Sequence, residues 1–125
     1  MKKGIIVFFA SALLIAGAGT AVARTTTTPT TVVYVTSAPG PGAKTGFYGY
    51  LDTSKKCRAN RTVKLFFQYP TGFKLIDTDK SSLAGNWGVS GDTTGAGLGK
   101  VVATRRVFGP RGHRHVCQRD SFIIA

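Results

Sequence analysis

His113, His115 and Cys117 alternate along the segment His113-Arg114-His115-Val116-Cys117. On an extended strand, residues two apart point the same way, so this set could converge on a metal ion, with Cys57 as a fourth ligand. There is no close Cys-x-x-Cys pair, and the competing use of the two cysteines is a bond to each other. Gly95-Ala96-Gly97-Leu98-Gly99-Lys100 invites comparison with a phosphate-binding loop. It departs in detail: Thr94 stands where the first glycine belongs, and Val101 replaces the hydroxyl residue that would meet magnesium. A flexible connection between strands is the expected role.

Acid–base chemistry needs a positioned pair of titratable groups. The chain has 5 acidic residues, all Asp: Asp52, Asp77, Asp79, Asp92 and Asp120. Most stand in turn-like contexts, where Asp serves through local hydrogen bonds. Asp77 and Asp79 are two apart, with no third carboxylate nearby to suggest calcium. No serine sits in a nucleophile setting such as G-x-S-x-G. The sequence therefore predicts no catalytic residue, no metal site and no cofactor, and a protein that is not an enzyme. The alternative is a small secreted hydrolase or metal-binding protein using His113 and His115.

What remains is charge. Against the 5 Asp stand 17 Lys and Arg, a formal net charge of +12. Such an excess predicts attraction to anionic surfaces and says nothing about fold. Lys55, Lys56, Arg58, Arg61 and Lys64 cluster around Cys57, while Arg105, Arg106, Arg111, Arg114 and Arg119 cluster around Cys117. A bond between the cysteines would join the clusters into one patch if all faced outward. The candidate anion-binding residues are Lys55, Lys56, Arg58, Arg61, Arg105, Arg106, Arg111, Arg114 and Arg119, with Phe108 and Tyr69 placed to interleave. The expected partner is an anionic extracellular or cell-envelope polymer, with no specific nucleic-acid recognition. The competing reading is a solvated cationic face that only keeps the domain soluble.

The elements that must position these residues begin after a leader. Lys2 and Lys3 form a basic start, residues 5–15 are apolar, and Ala21-Val22-Ala23 supplies the small residues a signal peptidase reads. Residues 1–23 are thus expected to be a cleaved secretory signal. The mature chain would be secreted or envelope-associated, monomeric, and without a transmembrane segment. Export places Cys57 and Cys117, the only 2 cysteines, in an oxidising compartment that favours pairing them. Closing a loop of this length removes unfolded-chain entropy worth roughly 4 kcal/mol, a large share of the stability of a small domain.

Residues 24–44 read as a linker, since threonines and then Ala38-Pro39-Gly40-Pro41-Gly42 offer little to bury. The threonine-rich part is also a candidate for O-glycosylation. Within it Val32-Val33-Tyr34-Val35 has strand-forming residues that could pair with an edge. From residue 45 onward short strands are expected at 46–51, 61–69, 73–77, 86–90, 100–108, 115–120 and 122–124, with 77–82 turn-like and 91–99 a glycine-rich loop. No helical periodicity survives. The expected core is Leu51, Val63, Leu65, Phe67, Trp87, Val89, Val101, Phe122 and Ile124. Asn60-Arg61-Thr62 is a formal glycosylation sequon, read as a turn before a strand.

Cys57-Arg58-Ala59-Asn60-Arg61-Thr62-Val63-Lys64-Leu65, Gly85-Asn86-Trp87 and Cys117-Gln118-Arg119-Asp120-Ser121 together carry a resemblance. Over residues 45–125 the chain resembles the small secreted bacterial domains of transthyretin-like type, also called prealbumin-like or carboxypeptidase-regulatory-like. The segment between Phe73 and Trp87 is short for that type. The resemblance implies an all-β, antiparallel sandwich of about seven strands, immunoglobulin- or transthyretin-like, acting as an accessory or surface module. It does not fix an activity.

Overall fold

Val63, Leu65 and Phe67 alternate with Thr62, Lys64 and Phe66, and that period of two makes β4 (Thr62–Tyr69) a strand with one dry face. The same logic runs through the residues 23–125 that the computed structural model describes. Apart from Ala23, the expected leader at 1–23 lies outside the described residues. In chain order come β1 (Arg24–Thr28), β2 (Thr31–Pro39), β3 (Lys44–Asp52), the single turn α1 (Lys55–Arg58), β4 and β5 (Gly72–Lys80). Then follow β6 (Asn86–Asp92), β7 (Gly99–Ala103), β8 (Arg106–Phe108), β9 (His113–Cys117) and β10 (Asp120–Ile124).

Three sheets result, ordered β2-β3-β6, β10-β7-β4-β5 and β1-β9-β8. The first two bury a common core of Val32, Phe47, Leu51, Val63, Leu65, Phe67, Trp87, Val89, Val101 and Ala103 between them. This is the expected all-β sandwich, with more strands than the seven counted from sequence. Pairing is antiparallel throughout except for β1, which runs parallel to β9. Strand glycines make the core close. A Cβ on Gly49 would collide with the Val33 carbonyl and the Trp87 indole, so only glycine lets that ring lie against β3.

Four expectations need correction. Residues 24–44 are not a linker: β1 pairs with β9 and β2 pairs with β3, with Val32 only 3% exposed. The β1 threonines bury little, and the strand is held by backbone bonds to an edge already fixed at Cys117, including Arg24 N–H to the Gly112 carbonyl (3.0 Å) and Gln118 N–H to the Thr28 carbonyl (2.9 Å). Residues 77–82 are turn-like only at their end, because β5 continues to Lys80. Residues 100–108 are not one strand. β7 ends at Ala103 and β8 joins a different sheet, the Thr104 carbonyl being taken by a side chain instead of a neighbouring strand. Finally, Phe122 is 38% exposed and Ile124 only partly buried, whereas Val32, Phe47 and Ala103 complete the core.

The aspartates explain how the two large sheets are joined. Asp77 Oδ2 accepts from Ser90 N–H (2.9 Å) and Asp79 Oδ2 from Gly88 N–H (3.0 Å), so β5 caps the free edge of β6. At the opposite side Asp120 Oδ2 accepts from Val32 N–H (2.8 Å), so β10 caps β2. Edge amides that backbone pairing leaves open are thereby satisfied by charged acceptors, which make stronger bonds than neutral ones. Urea denaturation should show Leu65→Ala losing about 2–5 kcal/mol and Asp79→Ala about 1–3 kcal/mol. Phe122→Ala, at a half-open position, should cost clearly less than Leu65→Ala.

Candidate functional site

Cys57 and Cys117 are bonded, with Cα atoms 5.5 Å apart, as the sequence predicts. The bond ties α1 to the end of β9. The four-ligand set considered from sequence therefore lacks both of its thiolates, and among the described residues no group of three or more potential ligands is gathered. α1 is a single turn, closed by Cys57 N–H donating to the Ser54 carbonyl (3.0 Å), and it turns the cysteine inward while Lys55 and Lys56 stay exposed.

Beside the disulfide lies Arg61, 0% exposed. Its Nη1 donates to the Cys57 carbonyl (2.9 Å) and the Thr30 hydroxyl (3.0 Å). Its Nη2 donates to the carbonyls of Thr104 (2.8 Å) and Gln118 (2.9 Å), and its Nε also reaches Thr104 (3.2 Å). These acceptors belong to four crossings of the chain: β1 to β2, α1 to β4, β7 to β8, and β9 to β10. Carbonyls at such crossings have no strand to pair with, and a planar fork of five N–H donors satisfies them in one place. Burial pushes the Arg61 pKa down, with the charge of Arg106 as the second cause. Ser81 completes the knot, accepting from Arg61 N–H (2.8 Å) and donating to the Arg58 carbonyl (2.7 Å). Arg61, expected in the anion-binding patch, is thus withdrawn from the surface. Lone charges are rarely buried, so composition gives no sign of this use.

Outside the knot the third sheet carries a column of flat groups. The Phe108 ring stacks on His115 at 5.1 Å and 18°, and His115 stacks on His113 at 5.1 Å and 27°. The Arg106 guanidinium also lies over the Phe108 ring, at 4.9 Å, while its Nη1 donates to the Ala59 carbonyl (3.1 Å). Lys56 stands close enough to act on His115, whose pKa is lowered first by desolvation, then by Lys56 and then by His113. Phe108 interleaves with the cations as expected. Tyr69 does not, since it lies at the far end of β4 beneath Lys74 Nζ, 5.6 Å from the ring centroid.

The other predicted residues are distributed around this column. Lys55, Lys56, Arg105, Arg111, Arg114 and Arg119 are exposed, and Arg58 and Arg106 are half-buried. Arg105 sits at the break between β7 and β8, Arg111 in the turn before β9, and Arg119 between β9 and β10. Alternation along β9 turns Arg114 to the face opposite His113 and His115, opposite Thr25 of β1. The cations therefore surround a corner of the molecule on more than one face and do not form one flat patch. The histidine column contains the pair that the sequence offers to a metal only as the alternative reading; its signal is the same two-residue spacing, with Phe108 as the missing partner. The glycine-rich stretch forms the connection between β6 and β7.

No protein-family model, curated protein or solved structure matches the chain.

Arg61→Lys should lower unfolding stability by about 2–4 kcal/mol, because an ammonium cannot span four crossings. It should leave anion binding of the still-folded protein unchanged. Denaturant titration and a binding isotherm on the same sample check both halves.

Proposed function

We propose that the chain is an exported, monomeric, non-enzymatic module of transthyretin-like type that binds anionic extracellular or cell-envelope polymers at the corner around Cys57–Cys117. The observation that supports this most is the asymmetry of the charges. Asp77, Asp79 and Asp120 spend oxygens on backbone amides of other strands, and Asp92 accepts from Thr94 N–H (2.8 Å). Three of the five carboxylates are engaged in holding the sandwich, while Lys55, Lys56, Arg105, Arg111, Arg114 and Arg119 face solvent. A chain built this way presents uncompensated positive charge beside a rigid aromatic column, and polyanions gain by releasing counterions on meeting it.

The disulfide supports the oxidising compartment that the expected leader implies. Among the described residues no helix is long and apolar enough to cross a membrane. The solvated-face reading lacks a reason for stacking Arg106, Phe108, His115 and His113 in register on one sheet face.

Two outcomes are expected. Purified protein should be retained on immobilised heparin and released by salt, and replacing Lys56, Arg105 and Arg111 together by Gln should lower the slope of log K against log salt by about 2–3. Retention unaltered by that triple change removes the proposal. Acid should also strengthen binding. His115 has a folded pKa below its unfolded value near 6.5, so its neutral form stabilises the fold fully above that value. That contribution is lost as pH falls through the folded pKa. A bound anion favours the charged form, so affinity should rise over the same interval, and His115→Gln should flatten the rise in a pH series of binding isotherms.

A further inference from the structure

The outer face of the β10-β7-β4-β5 sheet is not the polar face that a solvated sandwich presents. Register places Ile123, Lys100, Phe66 and Leu75 side by side across the four strands. Phe73 follows two residues before Leu75 on the same side of β5. Leu98, whose carbonyl accepts from Gln68 N–H (2.9 Å), extends the same alternation one turn of the pleat beyond β7. Phe73, Leu75, Leu98 and Ile123 are exposed by 40%, 53%, 39% and 47%. Neighbouring strands lie about 4.8 Å apart, so the row is about 14 Å wide. Contiguous apolar surface of this kind marks an interaction face.

The charges on that face have one sign. Lys100 crosses it with Nζ 4.4 Å from the Phe73 ring centroid and 5.6 Å from that of Phe66. Lys64 and Lys80 flank it in the adjoining register positions, beside Val102 and Thr62. The β5 carboxylates, Asp77 and Asp79, are turned away to the amides of β6. A second copy of this chain would oppose these lysines to their own equivalents, which repels. A soluble polyanion would leave the apolar row uncovered. A surface that offers phosphate at one level and hydrocarbon just below matches both halves.

We propose that this face docks on an anionic lipid bilayer, the lysines meeting headgroup phosphates and Phe73, Leu75, Leu98 and Ile123 entering the interfacial layer. The site is separate from the corner around the disulfide and does not rest on the polymer-binding reading. Lysine stems lie along apolar surface with the ammonium at headgroup level, and each such charge near an anionic leaflet strengthens binding about fivefold.

The test is co-sedimentation of the purified protein with vesicles of phosphatidylglycerol and phosphatidylcholine, against pure phosphatidylcholine. Binding is expected only to the anionic vesicles. Phe73→Ser with Leu75→Ser on the exposed edge strand should weaken it at least tenfold while leaving the thermal melt and heparin retention in place. Should that pair unfold the protein, Lys64→Gln with Lys100→Gln serves instead, with about a 25-fold loss expected. The Lys56, Arg105 and Arg111 triple variant should keep most of the vesicle binding while losing heparin retention. Vesicle binding that ignores Phe73 and Leu75 but vanishes with the triple variant overturns the proposal. So does binding to no vesicle at all, or concentration-dependent dimerisation that Phe73→Ser and Leu75→Ser abolish.

Discussion

A buried guanidinium beside a buried disulfide holds the molecule at its most crowded point. Arg61 and the Cys57–Cys117 bond meet where the chain passes between sheets, and the carbonyls of Cys57, Thr104 and Gln118 all end on the one side chain. Without that fork the buried Cys57 carbonyl would lose its partner, at a cost on the order of 1–3 kcal/mol, and the partly buried carbonyls of Thr104 and Gln118 would lose theirs. The third sheet adjoins this knot. β9 is pinned at Cys117, β8 is released from β7 at Thr104, and β1 adds to the edge so created. The column of Arg106, Phe108, His115 and His113 sits on that sheet, so its geometry is inherited from the crossing behind it.

Three of the five aspartates act at strand edges. In a small sandwich the strand edges are long relative to the core, and open edges invite pairing with other chains. Asp77, Asp79 and Asp120 close edges of β6 and β2 across the gap between sheets. Their negative charge is thereby committed to structure, and the excess of positive charge is left at the surface. Net charge of this size sets a positive field around the molecule, which supports the proposed affinity for anionic surroundings.

How much of this the sequence shows depends on whether a residue acts through periodicity or through distance. Val63, Leu65, Phe67, Trp87, Val89 and Val101 announce themselves by alternation, and all are buried. The cysteine pairing follows from their number and from the expected compartment. Arg61 looks like any other member of a basic run, and nothing local marks it as the one that turns inward to meet residues from 30 to 118. The same holds for β1, whose threonines have no burial to betray them and whose partner is some ninety residues away in the chain. Asp77 and Asp79 read as turn residues because Asp is favoured in turns; their role as inter-sheet caps needs the neighbouring sheet to be in view. His113 and His115 were legible as a pair on one face, but the ring that completes their stack, Phe108, belongs to another strand.

The proposed anion-binding surface is the Arg106–Phe108–His115–His113 column, with Lys56, presented by the oxidised knot. Amide and aromatic chemical shifts of isotope-labelled protein titrated with a short sulfated oligosaccharide at low salt report on this directly. Saturable shifts are expected at Lys56, Arg106, Phe108, His113 and His115, reversed by added salt and abolished when the disulfide is reduced. Shifts confined to other surfaces, or a column that stays silent while the oligosaccharide binds, would contradict the proposal.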